Sequence, residues 1–517
     1  MDCGSVRGIA DEADCGICGF VNPELKPIGG ALKCFPEDFV VEELPLSEDE
    51  GEDECSFWRF RLKKRGLDTL EAVDALATFL RVPAQKFGFA GIKDSFAITT
   101  QDLTVPKSAV TEAALRKAQQ ELPYLQLSHF RSAKKPLAPG QLRGNRFILR
   151  VRGIRGSPTE VQESMESLRS RGFVNYVGMQ RFGKAGLRSD VLGLAYLQGN
   201  YERCVDLLLR QGGDEAQNLG RLPRWAEVFR RTGSAEAALR KMPEGSCWAE
   251  RRLLLALKRR QELDGGTAPQ ALWEEAQAAP QTWAETAREA FLKLPRTIRA
   301  LYVHAYIDRL WNLAATERLS RYGQELAEGD LVQDDQPKGF RLAEAREALD
   351  MCKLLLPRPG SGVRLPANSV GSFMQSYLAY DGLDVEDLSL EVPGGTQQLS
   401  GCMRPVLVRP QNLRWHLEPD LGDPEKEWDE PAKVRRATSN FSRARAKTTQ
   451  GSKHLVLDFH LGPGQYATMA MREVMRARAS AAPRHIVFES DSEARSFERR
   501  VDSRCVTLPY MLVITSK

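Results

Sequence analysis

The first two hundred or so residues switch repeatedly between the two-residue apolar period of a strand and the three-to-four-residue period of a helix. In ALKCFPEDFVVEEL, Phe39 and Val41 alternate with Val40 and Glu42, which predicts a short strand after the turn residues Pro36 and Asp38. SFWRFRLKKRG reads as a second strand with basic residues at its end. Asp68 and Glu71 have the spacing of a capping box, so a helix is expected through Leu80 with Leu70, Val73, Ala77 and Leu80 on one face. FGFAGIKDSFAITTQ predicts two strands around a Lys93-Asp94 loop, followed by a helix near 111–121 and a strand over 124–130. NRFILRVRGI sets Phe147, Leu149 and Val151 against Ile148, Arg150 and Arg152, the mark of a half-buried strand. Val161, Met165 and Leu168 then place a helix over 158–171.

After about Leu187 the pattern turns helical, with helices expected near 201–210, 247–263, 283–293, 298–320 and 343–355. Strand and turn signals return beyond Pro357 in SLEVPGGTQQ and MRPVLVRP. HLVLDFHLGPGQYATMAMREVMR closes the pattern with an alternating strand (Leu455, Leu457, Phe459, Leu461), a Gly-Pro-Gly turn and a helix. That unit is like the beginning of the chain and unlike its middle, so the expectation is an α+β domain split by an insertion. The expected segments are a loose leader over 1–28, the first part of the split domain over 29–190, the insertion over 191–431, a basic linker over 432–453 and the second part over 454–517.

Composition narrows the class. The 517 residues are 42% hydrophobic and 27% charged, ordinary for two or three globular domains. Lys and Arg number 73 against 69 Asp and Glu, a net charge of +4, so any basic surface has to be local. Residues 432–453 hold seven basic residues and no acidic one, which suits a solvated linker and an RNA-contacting arm equally. Ten Cys without a paired framework, an acidic start and no apolar run of membrane-spanning length point to a reduced intracellular setting, cytoplasm or nucleus, with no membrane.

Several familiar signatures fail on inspection. Gly178 to Lys184 follows a phosphate-loop pattern, but Ala185 stands where a magnesium-binding Ser or Thr belongs. His416-Leu417-Glu418 imitates a zinc deaminase without the Cys pair that must follow. Cys15 and Cys18 form a C-x-x-C with no second pair nearby, which gives a metal little support. With six His and no nucleophile elbow, hydrolase triads have little support too.

What remains is one carboxylate, Asp94, beside Lys93, with Gly88 and Gly91 before it and the β-prone Phe96, Ile98, Thr99 and Thr100 after it. Alone, this reads equally as a polar turn. In order along the chain, LKCFPEDFVVEE, GFAGIKDSFAITTQ, GNRFILRVR and NYVGMQRFG, then LDFHLGPGQYATMAMRE, resemble the TruD family of RNA pseudouridine synthases, of eukaryotic type. The most specific block is Gly91, Lys93, Asp94, Ala97, Thr99 and Gln101. YVHAYIDRLWN is similar to a helix of the family's insertion, although Trp311 replaces the usual Phe and LLLPRPGSGV replaces a tighter turn.

The resemblance implies a catalytic domain with a mixed, largely antiparallel sheet, interrupted by an α-rich α+β insertion domain. It implies isomerisation of uridine to pseudouridine without cofactor or metal, on a flipped-out nucleotide. The substrate would be tRNA first, with mRNA or snRNA as further candidates, and the chain a monomer. Asp94 matches the catalytic aspartate, a carboxylate able to attack a sugar carbon or the base. Phe147 matches the aromatic that stacks on the base, or is a core residue of its strand. Asn145 bonds the base edge or caps a turn. Lys33 matches a basic residue near the site, or is a surface lysine, and Lys93 adjoins the nucleophile. Asn175, Gln180, Arg181 and Phe182 shape the pocket or bind RNA backbone, unless Arg181 pairs with an internal carboxylate. The rival readings are a non-catalytic RNA-binding protein on the same scaffold and a nucleosidase that releases free uracil.

Overall fold

The computed structural model of the chain describes residues 12–46, 55–183, 188–210, 223–242, 248–263, 280–334, 339–344, 347, 349–419, 453–476, 486–487 and 512–513. By its contacts the chain divides into two compact units, residues 20–174 with 408–477, and residues 1–19 with 175–407 and 478–517. The division falls at 174 and 407, earlier than the boundaries near 190 and 431 expected from the change in pattern. The acidic stretch 47–54, the basic segment 432–452 and Ala185 lie outside the described residues.

The first of these is a sheet unit. Its elements are β1 (Phe39–Pro45), β2 (Phe57–Arg65), α1 (Thr69–Leu80), β3 (Gly88–Phe89), β4 (Ile98–Pro106), α2 (Glu112–Glu121), β5 (Leu125–Ala133), β6 (Leu142–Ile154), α3 (Pro158–Ser170), β7 (Gln411–Pro419), β8 (Lys453–Leu461) and α4 (Ala467–Met475). The strands form one sheet in the order β7-β8-β6-β1-β4-β2-β5, with β3 on β4. β1 and β4 run parallel and the other pairs antiparallel, the mixed, largely antiparallel sheet expected. Capping boxes start both α1, at Asp68 and Glu71, and α3, at Ser157 and Glu160.

Two expectations about faces need correction. α1 buries Thr69, Ala72, Val73, Leu76 and Ala77, while Leu70 is 52% exposed. The stripe that covers Phe60, Leu62, Leu103 and Val105 is centred on Val73 and Leu76, and Leu70 lies off its edge. On β6, Phe147, Leu149 and Val151 are buried as expected, but the opposite face is not a free basic surface. Arg146 pairs with Asp458 and Glu42, and Arg150 with Glu418 at 2.5 Å. Arg152 is itself buried, with Nε 2.9 Å from both oxygens of the fully buried Asp38 and its guanidinium over Phe35.

The expected leader is not loose where it is described. Val21 donates to Glu473 Oε1 at 3.0 Å, and Arg472 lies 4.0 Å over the Phe20 ring. In the second unit Cys15 and Ile17 are fully buried, with Asn312 Nδ2 donating to the Cys15 carbonyl and Thr316 Oγ1 to that of Gly16. Burial pushes the Cys15 thiol up to about 12, so it is an inert core thiol.

That second, helical unit contains helices Ser189–Leu197, Tyr201–Arg210, Arg224–Thr232, Ala235–Leu239, Trp248–Leu263, Pro280–Leu292, Arg296–Tyr322 and Ser369–Tyr380. A four-stranded sheet orders Cys402–Pro405, Leu354–Arg358, Leu331–Gln333 and Phe340–Leu342, and Ser389–Val392 and Gly395–Gln398 form a hairpin. The helix expected over 343–355 is replaced by a 3-10 turn, Met351–Lys353, and the strand Leu354–Arg358. Leu354, Leu355 and Leu356 are all buried, and a short apolar run of that kind carries no period to separate strand from helix. Among the described residues no helix is long and apolar enough to cross a membrane.

The Arg152–Asp38 pair anchors the turn that leads into β1, and truncating one partner strands the other charge in the interior. Arg152→Ala is expected to lower stability by roughly 3–5 kcal/mol, read as a shift in the urea midpoint. A change under about 0.5 kcal/mol would show that Asp38 is solvated after all.

Candidate active site

Asp94 lies on the loop from β3 to β4, and the residues around it fix that loop at two points. Lys93 Nζ pairs with Glu43 Oε2 of β1 at 2.5 Å, with both side chains almost wholly buried. The other oxygen of Glu43 accepts from the Asp102 main chain at 3.3 Å. Lys93 N donates to Thr69 Oγ1 at 2.8 Å, Thr69 Oγ1 donates to Gln101 Oε1 at 2.7 Å, and Gln101 Nε2 donates to the Gly91 carbonyl at 3.1 Å. The start of α1, the end of β1 and the middle of β4 thus hold the two residues on either side of Ile92. Gly88 is needed for close approach, since a Cβ there would sit 2.5 Å from the Leu137 carbonyl and from Thr104 Oγ1. Nothing comparable explains Gly91, where a Cβ would meet only Lys93 Nζ at 3.6 Å.

Above this base the Asp94 side chain is 38% exposed. Its Oδ1 accepts from Phe96 N at 3.0 Å, and its Oδ2 takes the ammonium of Lys33. Lys33 has φ of +58°, a conformation that non-glycine residues rarely hold. Its Nζ also lies 4.1 Å from the centroid of Phe39, a cation–π contact. Phe39 meets Phe147 edge-on at 6.1 Å, and Phe147 stacks on Phe459 at 5.7 Å and 26°.

The register shows why these groups share a face. Lys64, Thr99, Val41, Phe147 and Phe459 are successive cross-strand partners over β2, β4, β1, β6 and β8. Asn145 is two residues from Phe147 and so on the same face. Its Oδ1 and the Thr99 Oγ1 are buried without a hydrogen-bond partner among the described residues. Buried acceptors left open on one face of a sheet are what a polar ligand would complete.

Lys64 closes the row from below. Its ammonium is fully buried and donates to the carbonyls of Leu67 and, at 3.3 Å, of Asp94 itself. Burial drives its pKa down to about 8, helped by Lys93 and opposed by Asp68, Asp94 and Glu71.

The sheet unit therefore brings Asp94, Lys33, Lys93 and Phe147 into one connected cluster, with Asn145 on the same face. Phe147 is only 7% exposed and has Phe459 stacked against its ring. Lys93 gives its ammonium to Glu43. Gln180, Arg181 and Phe182 belong to the helical unit, on and just after the 3-10 turn Met179–Arg181. Gln180 is exposed, Phe182 is 1% exposed, and Arg181 Nε pairs with Asp308 at 2.7 Å. Asn175 is buried and bonded to Pro405 and Arg404.

Sequence reasoning missed Glu43, Lys64, Thr69 and Phe39. The signal was present for two of them: Glu43 continues the buried phase of Phe39 and Val41, and Lys64 continues that of Phe60 and Leu62. A charge in the buried phase of a strand breaks the pattern and calls for a partner.

Residues 16–474 match the family model of tRNA pseudouridine synthase D (TruD). The chain is 30% identical over 433 residues to the pseudouridylate synthase 7 homolog of Homo sapiens, a match covering 82% of this chain and 60% of that protein. It is 30% identical over 466 residues to tRNA pseudouridine synthase D of Geobacter metallireducens, covering 88% of this chain and 97% of that one. Thus it spans about 60% of the length of the human and mouse relatives but nearly all of the bacterial one. The fold is shared with the crystal structure of a putative tRNA pseudouridine synthase D from Methanosarcina mazei, with a TM-score of 0.59 and 22% identity over 92% of this chain and 99% of that one.

A buried lysine whose folded pKa is depressed binds fewer protons than the unfolded chain between about pH 8 and 10.5, so its penalty on the fold is full below 8 and fades through that window. Lys64→Met removes this penalty. Its stability relative to wild type is expected to be greatest near pH 7 and to fall by roughly 3 kcal/mol on going to pH 10.5, in urea titrations at each pH. A difference independent of pH would mean that Lys64 is not a buried cation.

Proposed function

This chain belongs to the TruD family of pseudouridine synthases, and on that premise we propose that it isomerises uridine in RNA to pseudouridine with Asp94 as the nucleophile. The observation that carries the reading is the setting of Asp94: an open carboxylate, with one oxygen on a main-chain N–H and the other on Lys33, on a loop locked from beneath. Such a group is positioned for attack without needing to reorganise.

The isomerisation neither gains nor loses atoms. Asp94 attacks the ribose or the base as the C–N glycosidic bond breaks, and the base turns. The bond to Asp94 then breaks and its carboxylate returns as a C–C bond forms from C5 to the sugar, and the proton lost from C5 is balanced by one gained at the freed N1. A stacked nucleotide cannot do this, so the uridine is flipped out onto the sheet face. Phe147 with Phe39 forms the apolar floor, and the open Oδ1 of Asn145 meets an N–H of the base edge. Lys33 holds the Asp94 carboxylate and faces the phosphate side. Lys93 acts through the loop by its pair with Glu43. Gln180 and Arg181 contribute RNA contacts from the helical unit, and buried Phe182 supports their turn. In this reading the sheet unit is the catalytic domain and the helical unit its insertion. The substrate is tRNA first, with mRNA and snRNA as further classes, and a monomer acts in the nucleus or cytoplasm.

Asp94→Asn is expected to bind a tRNA transcript within about twofold of wild type while pseudouridine formation disappears from nucleoside chromatography. Turnover in that variant at the wild-type rate would rule out the nucleophile. Phe147→Leu keeps most of the buried volume and loses the ring, so single-turnover rates should fall by roughly 1–3 kcal/mol in barrier or binding. Equal rates in both proteins would assign Phe147 to the core alone.

A further inference from the structure

A second site stands in the helical unit, built by residues from three separate parts of it. Asp308, on the helix Arg296–Tyr322, is 3% exposed and takes two guanidinium groups at once. Arg181 Nε donates to one oxygen at 2.7 Å, and Arg358 Nε, from the strand Leu354–Arg358, donates to the other at 2.6 Å. One carboxylate offsets only one of the two charges, and neither arginine has a second carboxylate partner among the described residues. His304, one turn earlier on the same helix, is held below its ordinary range chiefly by burial, with Arg358 and Arg181 adding to the effect and Asp308 opposing it. Arg404 lies on the same strand face, because Arg358 pairs with Cys402 and Arg404 is two residues further along that strand. It is bonded to the main-chain and side-chain oxygens of Asn175 and lies over Trp311.

A single arginine would be enough to neutralise Asp308. Two at one carboxylate repel each other, and the surplus positive charge favours an anion from outside. With each Nε held by Asp308, the amino groups of Arg181 have no protein acceptor among the described residues, and Arg358 Nη1 has only the weak acceptor Cys402 Sγ at 3.8 Å. Both side chains remain about a quarter exposed, at 24% and 23%. Two preset forks of N–H donors with a surplus positive charge match the oxygens of a phosphodiester. We propose that Arg181 and Arg358, held in place by Asp308, form a phosphate-binding site for the RNA backbone within the helical unit. This rests on the reading that RNA is the substrate, and it places a named part of the grip outside the sheet unit.

The test measures anisotropy of a fluorescein-labelled tRNA transcript on the full chain carrying Asp94→Asn, across a range of KCl concentrations. Arg358→Met is expected to weaken binding roughly tenfold at 100 mM salt and to flatten the slope of log K against log salt by about 1. An Arg358→Met protein that melts normally and keeps the parent's slope overturns the site. On the unsubstituted chain, phenylglyoxal labelling with peptide mass spectrometry reads the same contact: tRNA should protect Arg181 and Arg358, and equal labelling with and without tRNA overturns the site even if Arg358→Met fails to fold. If the Asp94→Asn parent binds tRNA and the unsubstituted chain forms pseudouridine but neither effect is seen, only this site fails. If it binds no RNA at all, the functional reading and the site fall together.

Discussion

The pair between Lys93 and Glu43 is the constraint on which the site depends. Both charges are out of water, so their desolvation cancels much of their attraction and the pair adds little net stability. Its effect is on geometry. The loop between β3 and β4 could take many paths as a Gly-rich turn, and the pair leaves it one, because any path that parts the charges leaves both unpaired in the interior. Thr69 and Gln101 remove the remaining freedom at the main chain. Asp94 follows directly after the fixed residue and so inherits a position without needing to be buried itself.

This explains an apparent conflict within the sheet. Strands β1 and β2 carry a buried acid and a buried amine at places where an apolar residue would make a more stable core. The helical unit repeats the theme with two arginines on one aspartate. In each case the polar group lies beside an exposed or open polar atom, which is the pattern of a surface prepared for a charged ligand rather than for packing.

Much of the fold was legible because strand alternation and capping boxes are local: β6, β8, α1 and α3 follow from neighbouring residues alone. What stayed hidden depends on partners far along the chain. Arg152 looked solvent-facing until Asp38, 114 positions away, was placed against it. The apolar run at Leu354 looked helical because its partners Val332 and Arg404 were unknown. The motif around Asp94 was readable as a set of residue types, and Lys33 and Phe147 could be placed beside it only through family resemblance. The floor of Lys64, Glu43 and Thr69 needed the sheet order, since no spacing in sequence relates those positions.

The stacked rings of Phe147 and Phe459 belong to neighbouring strands, yet residues 175–407 of the helical unit lie between them in sequence. A growing chain therefore makes β6 long before β8 exists, and the edge of β6 that β8 will cover waits unpaired while a separate domain folds in the interval. The aromatic floor can form only after the last strand docks, so assembly of the site is tied to completion of the chain. Slow closure over so long a loop would then govern how quickly a newly made molecule becomes competent, more than the folding of either unit by itself.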